Sequence, residues 1–194
     1  GGGGPIWEQS EADWKWLLGV NLWGVIHGMR CFTPQMIAKG EGHIVNTASI
    51  AGLVSAPGTS TYTVTKHAVV ALSEVLYGDL RNAGIKVGVS VLCPSYVNTK
   101  VYDFERNRPG AKDAALSAEQ LAEKQAIAEA TEAFFTTALS PDVVAGQVFD
   151  AIVNDQFYIL THPEGSKVQV EKRLRGILDN GKPTMAGPED FPLQ

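Results

Sequence analysis

The 194 residues carry 44% hydrophobic and 19% charged side chains with a net charge of −5, a composition suited to one globular domain with its own core. The negative balance argues against nucleic acid and anionic membranes, which attract basic surfaces. No apolar run is long enough to span a bilayer and no signal peptide opens the chain, so a cytoplasmic location is the default.

Gly1 to Gly4 ahead of Pro5 read either as an expression scar or, preferably, as a glycine-rich loop cut from a longer protein. Ser10-Glu-Ala-Asp13 has the form of a capping box with Asp in the place of Glu. It opens a helix that carries Trp14, Leu17, Leu18, Asn21, Leu22 and Val25 to about Ala38. Pro34 predicts a kink or a break before its last turn. Gly40 and Gly42 close that helix, and residues 43–48 predict a strand that delivers Ser49 at its carboxyl end. A turn-rich loop follows, with Gly52, Ser55, Pro57, Gly58 and Ser60. The next helix opens near Ser60 or Thr61 and stops at Asn82-Ala-Gly84.

Residues 86–92, KVGVSVL, predict a second strand that is apolar on both faces of its latter half, as in a strand covered on both sides. Two strands joined through a helix make a right-handed crossover and a parallel pair, so their carboxyl ends lie side by side. Residues 100–139 change character. Val101, Tyr102 and Phe104 precede a polar stretch at 105–113 with Pro109-Gly110, and Ser117 caps a helix carrying Leu121, Ile127, Phe134 and Phe135. Ser140-Pro141 starts another helix to about Asn154, which leads into a third strand at 157–161. His162-Pro163 ends that strand, and a basic amphipathic helix runs from about Glu164 to Asp179. The tail at 181–194 reads as irregular. Cys31 and Cys93 both read as small buried apolar residues of a reducing compartment. The histidines His27, His43, His67 and His162 never fall at metal-ligand spacing, so no metal site is expected.

Tyr62 and Lys66 are four apart on the second helix and share one of its faces. Ser49, thirteen residues before Tyr62, ends the preceding strand, where ligands bind in an open parallel sheet. A phenol, an ammonium and a hydroxyl that converge there suit hydride transfer at a carbonyl carbon. Tyr62 gives or takes the oxygen-bound proton, and Lys66 lowers the phenol pKa from its ordinary value near ~10. Ser49 holds the substrate oxygen. No side chain supplies a hydride, so a nicotinamide cofactor, NAD or NADP, is implied. A hydrolase built on Ser49 fits poorly, since no G-x-S-x-G elbow surrounds it.

Asn-Thr-Ala-Ser49 followed by Tyr62-Thr-Val-Thr-Lys66 resembles the short-chain dehydrogenase/reductase family. The resemblance covers nearly all of the chain and implies an α/β fold: a Rossmann-like parallel sheet of at least three strands with helices on both faces. The family's TGxxxGxG turn and NNAG motif occur nowhere in the sequence. The expectation is therefore a single partial domain over residues 1–194, the second half of the fold, inactive on its own.

The resemblance implies that Asn21, in VNLWG, disturbs its helix and serves a proton relay; the alternative is a helix asparagine facing solvent. Lys66 and Tyr62 hold the nicotinamide ribose. The segment Cys93-Pro94-Ser95-Tyr96-Val97-Asn98-Thr99 resembles the family's PGxVxT, which places Pro94, Val97 and Thr99 on the nicotinamide side, although Ser95 replaces the usual glycine. The alternative is a proline-marked loop without a ligand. Residues 100–139 correspond to a substrate lid, and Tyr96, Tyr102 and Phe104 either wall an apolar substrate or belong to the core. The implied function is interconversion of a secondary alcohol and a ketone. A scaffold or nucleotide-binding homologue without turnover is the alternative. A homodimer or homotetramer is expected through the first and second helices, where Val69, Val70, Leu72, Val75, Leu76 and Leu80 offer more apolar surface than one sheet needs.

Overall fold

The computed structural model describes residues 3–108 and 117–187, so the polar stretch around Pro109-Gly110 and the last residues of the tail lie outside them. Three parallel strands, β1 (His43–Thr47), β2 (Gly88–Cys93) and β3 (Tyr158–Leu160), form a sheet in the order β1-β2-β3. β1 pairs with β2 from His43↔Gly88 to Thr47↔Leu92, and β2 with β3 from Val91↔Tyr158 to Cys93↔Leu160. The three carboxyl ends therefore meet along one rim. β2 is buried throughout, as its two-sided apolar pattern predicts. Its edges fall slightly off the expected 86–92, and the third strand is shorter than 157–161.

The first helical stretch is α1 (Glu11–Leu17), a π-helical segment Leu18–Trp23, and α2 (Gly24–Lys39). Ser10 caps it as expected: its hydroxyl accepts from the Asp13 N–H at 3.2 Å, and the Asp13 carboxylate accepts from the Ser10 N–H. Pro34 does not break α2, which runs on through it to Lys39 and ends at Gly40 with φ +80°. Cys31 corrects the sequence reading, for it is exposed on α2, whereas Cys93 is buried.

Helix α3 (Ser60–Asn82) lies with α2 on one face of the sheet. Val69 and Val91 are fully buried between them; each such valine contributes about 1.5–3 kcal/mol of apolar burial. Val70 and Leu80 join this core, and Leu76 packs against it. Val69, Val70 and Leu80 are thus interior residues rather than spare surface, while Val75 is 60% exposed. Helix α5 (Pro141–Val153), opened by the Ser140 cap, covers the other face through Val144 and Ala151.

Helix α4 (Ala118–Thr136) keeps Leu121 and Ile127 exposed and meets the loop after β2 through its carboxyl end. Helix α6 (Pro163–Leu178) follows β3. The tail is less irregular than its composition suggests. Met185 bridges Ser55, the Ala186 N–H donates to the Ser55 carbonyl at 2.9 Å, and Ala186 packs with Ile50 and Val54. At the other end of the chain the Gly4 N–H donates to the Gly58 carbonyl at 3.1 Å.

Candidate active site

β1 ends at Thr47, and two residues later Ser49 turns the chain into a 3-10 turn, Ile50–Gly52. The Ser49 hydroxyl accepts from the Ala51 N–H at 3.1 Å and donates to the Pro94 carbonyl at 3.4 Å. Gly52 is required here. A Cβ on it would stand 2.6 Å from the Lys66 carbonyl oxygen and 2.8 Å from Val70 Cγ2, so only glycine lets this turn lie directly against α3.

Tyr62 and Lys66 project from the first two turns of α3 into the same cavity as Ser49. Lys66 is 9% exposed, and its Nζ donates to the Thr47 carbonyl at 3.0 Å, so a strand end holds the ammonium in place. That Nζ lies 5.7 Å from the centroid of the Tyr62 ring. Desolvation lowers the Lys66 pKa. Burial raises the Tyr62 phenol above its ordinary value, and the neighbouring Ser49 hydroxyl offsets part of the rise. The direction is opposite to the lowering expected from Lys66, because the ammonium is committed to a backbone carbonyl while the phenol is desolvated.

Asn21 sits in the π segment and faces the same cavity. Its Nδ2 donates to Thr65 Oγ1 at 3.2 Å, and Thr65 donates in turn to the Tyr62 carbonyl at 2.7 Å. The widened turn aims the asparagine at α3, and π segments of this kind concentrate at functional sites. Of its two readings, a solvent-facing helix asparagine does not describe this geometry.

The loop after β2 supplies the opposite wall. Pro94, Tyr96, Val97 and Thr99 all line the cavity, of about 730 Å³. Tyr102 lines it too; Phe104, half-buried in its own 3-10 turn (Phe104–Asn107), does not and leaves the candidate set. Helix α4 contributes what the sequence reading missed. Phe135 lines the cavity and stacks at 5.3 Å on Tyr102, while Phe134 meets Tyr96 edge-on at 4.9 Å. Two adjacent aromatics on a solvated helix gave no local pattern that would single them out. Among the described lining residues Lys66 is the sole charged side chain.

A nicotinamide nucleotide fits this donor set. Lys66 and Tyr62 offer hydrogen bonds suited to ribose hydroxyls, and Thr99 offers a hydroxyl beside the apolar Val97.

The sequence profile described as short chain dehydrogenase matches residues 1–109. A curated relative from Lactiplantibacillus plantarum, "CLA biosynthesis dehydrogenase/reductase", is 36% identical over 93% of this chain and 63% of its own length. "C alpha-dehydrogenase" from Sphingobium sp. is 31% identical over 96% of this chain and 59% of its own. The chain thus spans about three-fifths of the length of these relatives. A solved short chain dehydrogenase/reductase from Burkholderia phymatum, in complex with NAD, is 45% identical with a TM-score of 0.82, over 96% of this chain and 66% of that one.

Proposed function

Since the chain belongs to the short-chain dehydrogenase family of oxidoreductases, we propose that it bears the catalytic edge of an NAD(P)-dependent enzyme that interconverts a secondary alcohol and a ketone. The observation that carries this reading is the convergence of Ser49, Tyr62 and Lys66 on one cavity at the adjoining ends of β1 and β2. The bound nicotinamide supplies or accepts the hydride. Tyr62 donates its phenolic proton to the carbonyl oxygen in reduction and takes the hydroxyl proton in oxidation. Ser49 hydrogen-bonds that oxygen as charge develops on it. Lys66 holds the ribose, and Asn21 positions a relay that restores the Tyr62 proton. Pro94, Val97 and Thr99 line the cavity and would hold the nicotinamide side of the cofactor.

The described residues 100–108 and 117–139 act as the lid. Tyr96, Tyr102 and Phe135 form an aromatic wall suited to an uncharged, largely apolar substrate, since Lys66, the sole charged side chain among the described lining residues, is assigned to the ribose.

The test is a pair of variants of the full-length protein. Tyr62→Phe is expected to cut turnover by about a thousandfold or more while NADH or NADPH affinity stays within about threefold, because the phenolic proton acts in the chemical step. Lys66→Ala is expected to harm both. Turnover near the wild-type level in Tyr62→Phe rejects the assignment. Intact nucleotide binding with no hydride transfer to any carbonyl in an aliphatic and aromatic panel favours a binding homologue instead.

The partner proposed is a second copy of the chain. Helix α3 packs beside α1 and the π segment, and Val20, Trp23, Val64 and Val75 remain exposed on these elements. Sedimentation at micromolar concentration is expected to show a dimer or tetramer; a monomer throughout refutes it.

A further inference from the structure

We infer that Thr161, oriented by His162, is a positioning residue that ties the end of β3 to the loop after β2 and, through the Pro94 carbonyl, to Ser49. This rests on the hydride-transfer reading of the site above. The Ser95 N–H donates to Thr161 Oγ1 at 3.1 Å, and that oxygen lies 2.9 Å from His162 Nδ1. Gln147 Nε2 donates to the Thr161 carbonyl at 3.3 Å. Thr161 and His162 are each 4% exposed. One residue before Ser95, the Pro94 carbonyl accepts both the Ile50 N–H at 2.9 Å and the Ser49 hydroxyl at 3.4 Å. The ends of β3, β2 and β1 are thereby linked in series.

The chemistry of a hydroxyl makes Thr161 suited to this. Its oxygen has two lone pairs and one proton. One lone pair takes the Ser95 N–H. His162 Nδ1 either accepts the hydroxyl proton or donates to the second lone pair, and in both tautomers the rotamer is fixed toward Ser95. The Ser95 hydroxyl itself is buried with no hydrogen-bond partner among the described residues, so it does not hold the loop in Thr161's stead. The last link is the sensitive one. At 3.4 Å the Ser49–Pro94 bond is longer than an ordinary O–H···O contact, so the Ser49 proton turns readily to the reacting oxygen. Drift at Pro94, carried by its 2.9 Å bond from the Ile50 N–H, displaces the turn that sets the Ser49 oxygen. Neither Thr161 nor His162 lines the cavity, so both act through Ser95 and Pro94.

Thr161→Val keeps the shape and removes the acceptor; Thr161→Ser restores it. In the full-length protein, amide exchange at Ser95 and Ile50, read by heteronuclear NMR, is compared for both variants with the wild type, alongside kcat, KM and thermal midpoint. Thr161→Val is expected to speed exchange at both amides by about tenfold and to lower kcat by about tenfold or more, with KM within about threefold. Thr161→Ser is expected to return all of these to near the wild-type level. Should Thr161→Val fail to fold, Thr161→Ala serves in its place. Faster exchange at Ser95 alone, with Ile50 and kcat unchanged, overturns the inference, as does a fall in kcat that Thr161→Ser does not rescue. A wild-type protein without hydride transfer would instead reject the functional reading, and the coupling of the Ser95 and Ile50 amides would still report on the tie itself.

Discussion

At the residue scale the pH behaviour follows from the burial of Tyr62. Its pKa stands above the ordinary value, near ~10 for a phenol, so the proton is in place at neutral pH. Ketone reduction uses that proton and is expected to hold level from about pH 6 to about pH 9. Alcohol oxidation needs the phenolate, whose share grows about tenfold per pH unit below the pKa, and its rate is expected to climb over the same range. Rate profiles in both directions check this; an oxidation rate already level at pH 7 contradicts it. The same raised pKa links to stability: its contribution is complete below the unfolded value and is lost as pH rises through the folded one. Ser49, Tyr62 and Lys66 were legible because strand end, helix start and a four-residue step are local patterns. The direction of the Tyr62 shift was not, since burial and the Lys66–Thr47 bond depend on what packs around the pair. Thr161 and Phe135 were illegible for the same reason: they meet the site only through the fold, 66 residues from Ser95 in the case of Thr161.

At the element scale, the turn after β1 and the amino end of α3 form one unit joined at Gly52. Gly52→Ala forces a Cβ against the Lys66 carbonyl and Val70. It is expected to cost about 1–3 kcal/mol of stability and to lower turnover more than cofactor affinity, because the turn carries Ser49. Denaturant midpoints and steady-state kinetics separate the two effects; a variant as stable and active as the wild type shows that the packing relaxes freely. The strands and α3 were readable from apolar runs and stop signals. Periodicity around Asn21 is that of an ordinary helix, so the π segment was foreshadowed only by the VNLWG resemblance, which implied a helix disturbed at Asn21. Of the kink or break expected at Pro34, the break does not occur, because α2 accommodates the lost backbone donor within a continuous helix.

At the scale of the whole molecule, the sheet brings three strand ends to one rim, and the parallel order was legible once two strands were seen to flank a helix. What composition hid was the fate of the two terminal segments. Ser55 binds Ala186 and Gly58 binds Gly4, so the loop between β1 and α3 gathers both onto the edge of the cavity. The Ser55–Ala186 contact closes a loop of 131 positions, the difference of the two residue numbers, and long closures come late in folding because their entropy is recovered only when the final contacts form. The sheet around β2, fully buried, is thereby expected to assemble before the rim and to outlast it under stress. In rising denaturant, activity should disappear before the far-ultraviolet signal of the helices, and the Ala186 and Gly4 amides should exchange much faster than that of Val91. Coincident loss of activity and secondary structure would mean that the rim and the core unfold as one. With separate transitions, the molecule becomes competent to bind only at the last stage of its folding, and it is the first capacity lost when the fold begins to loosen.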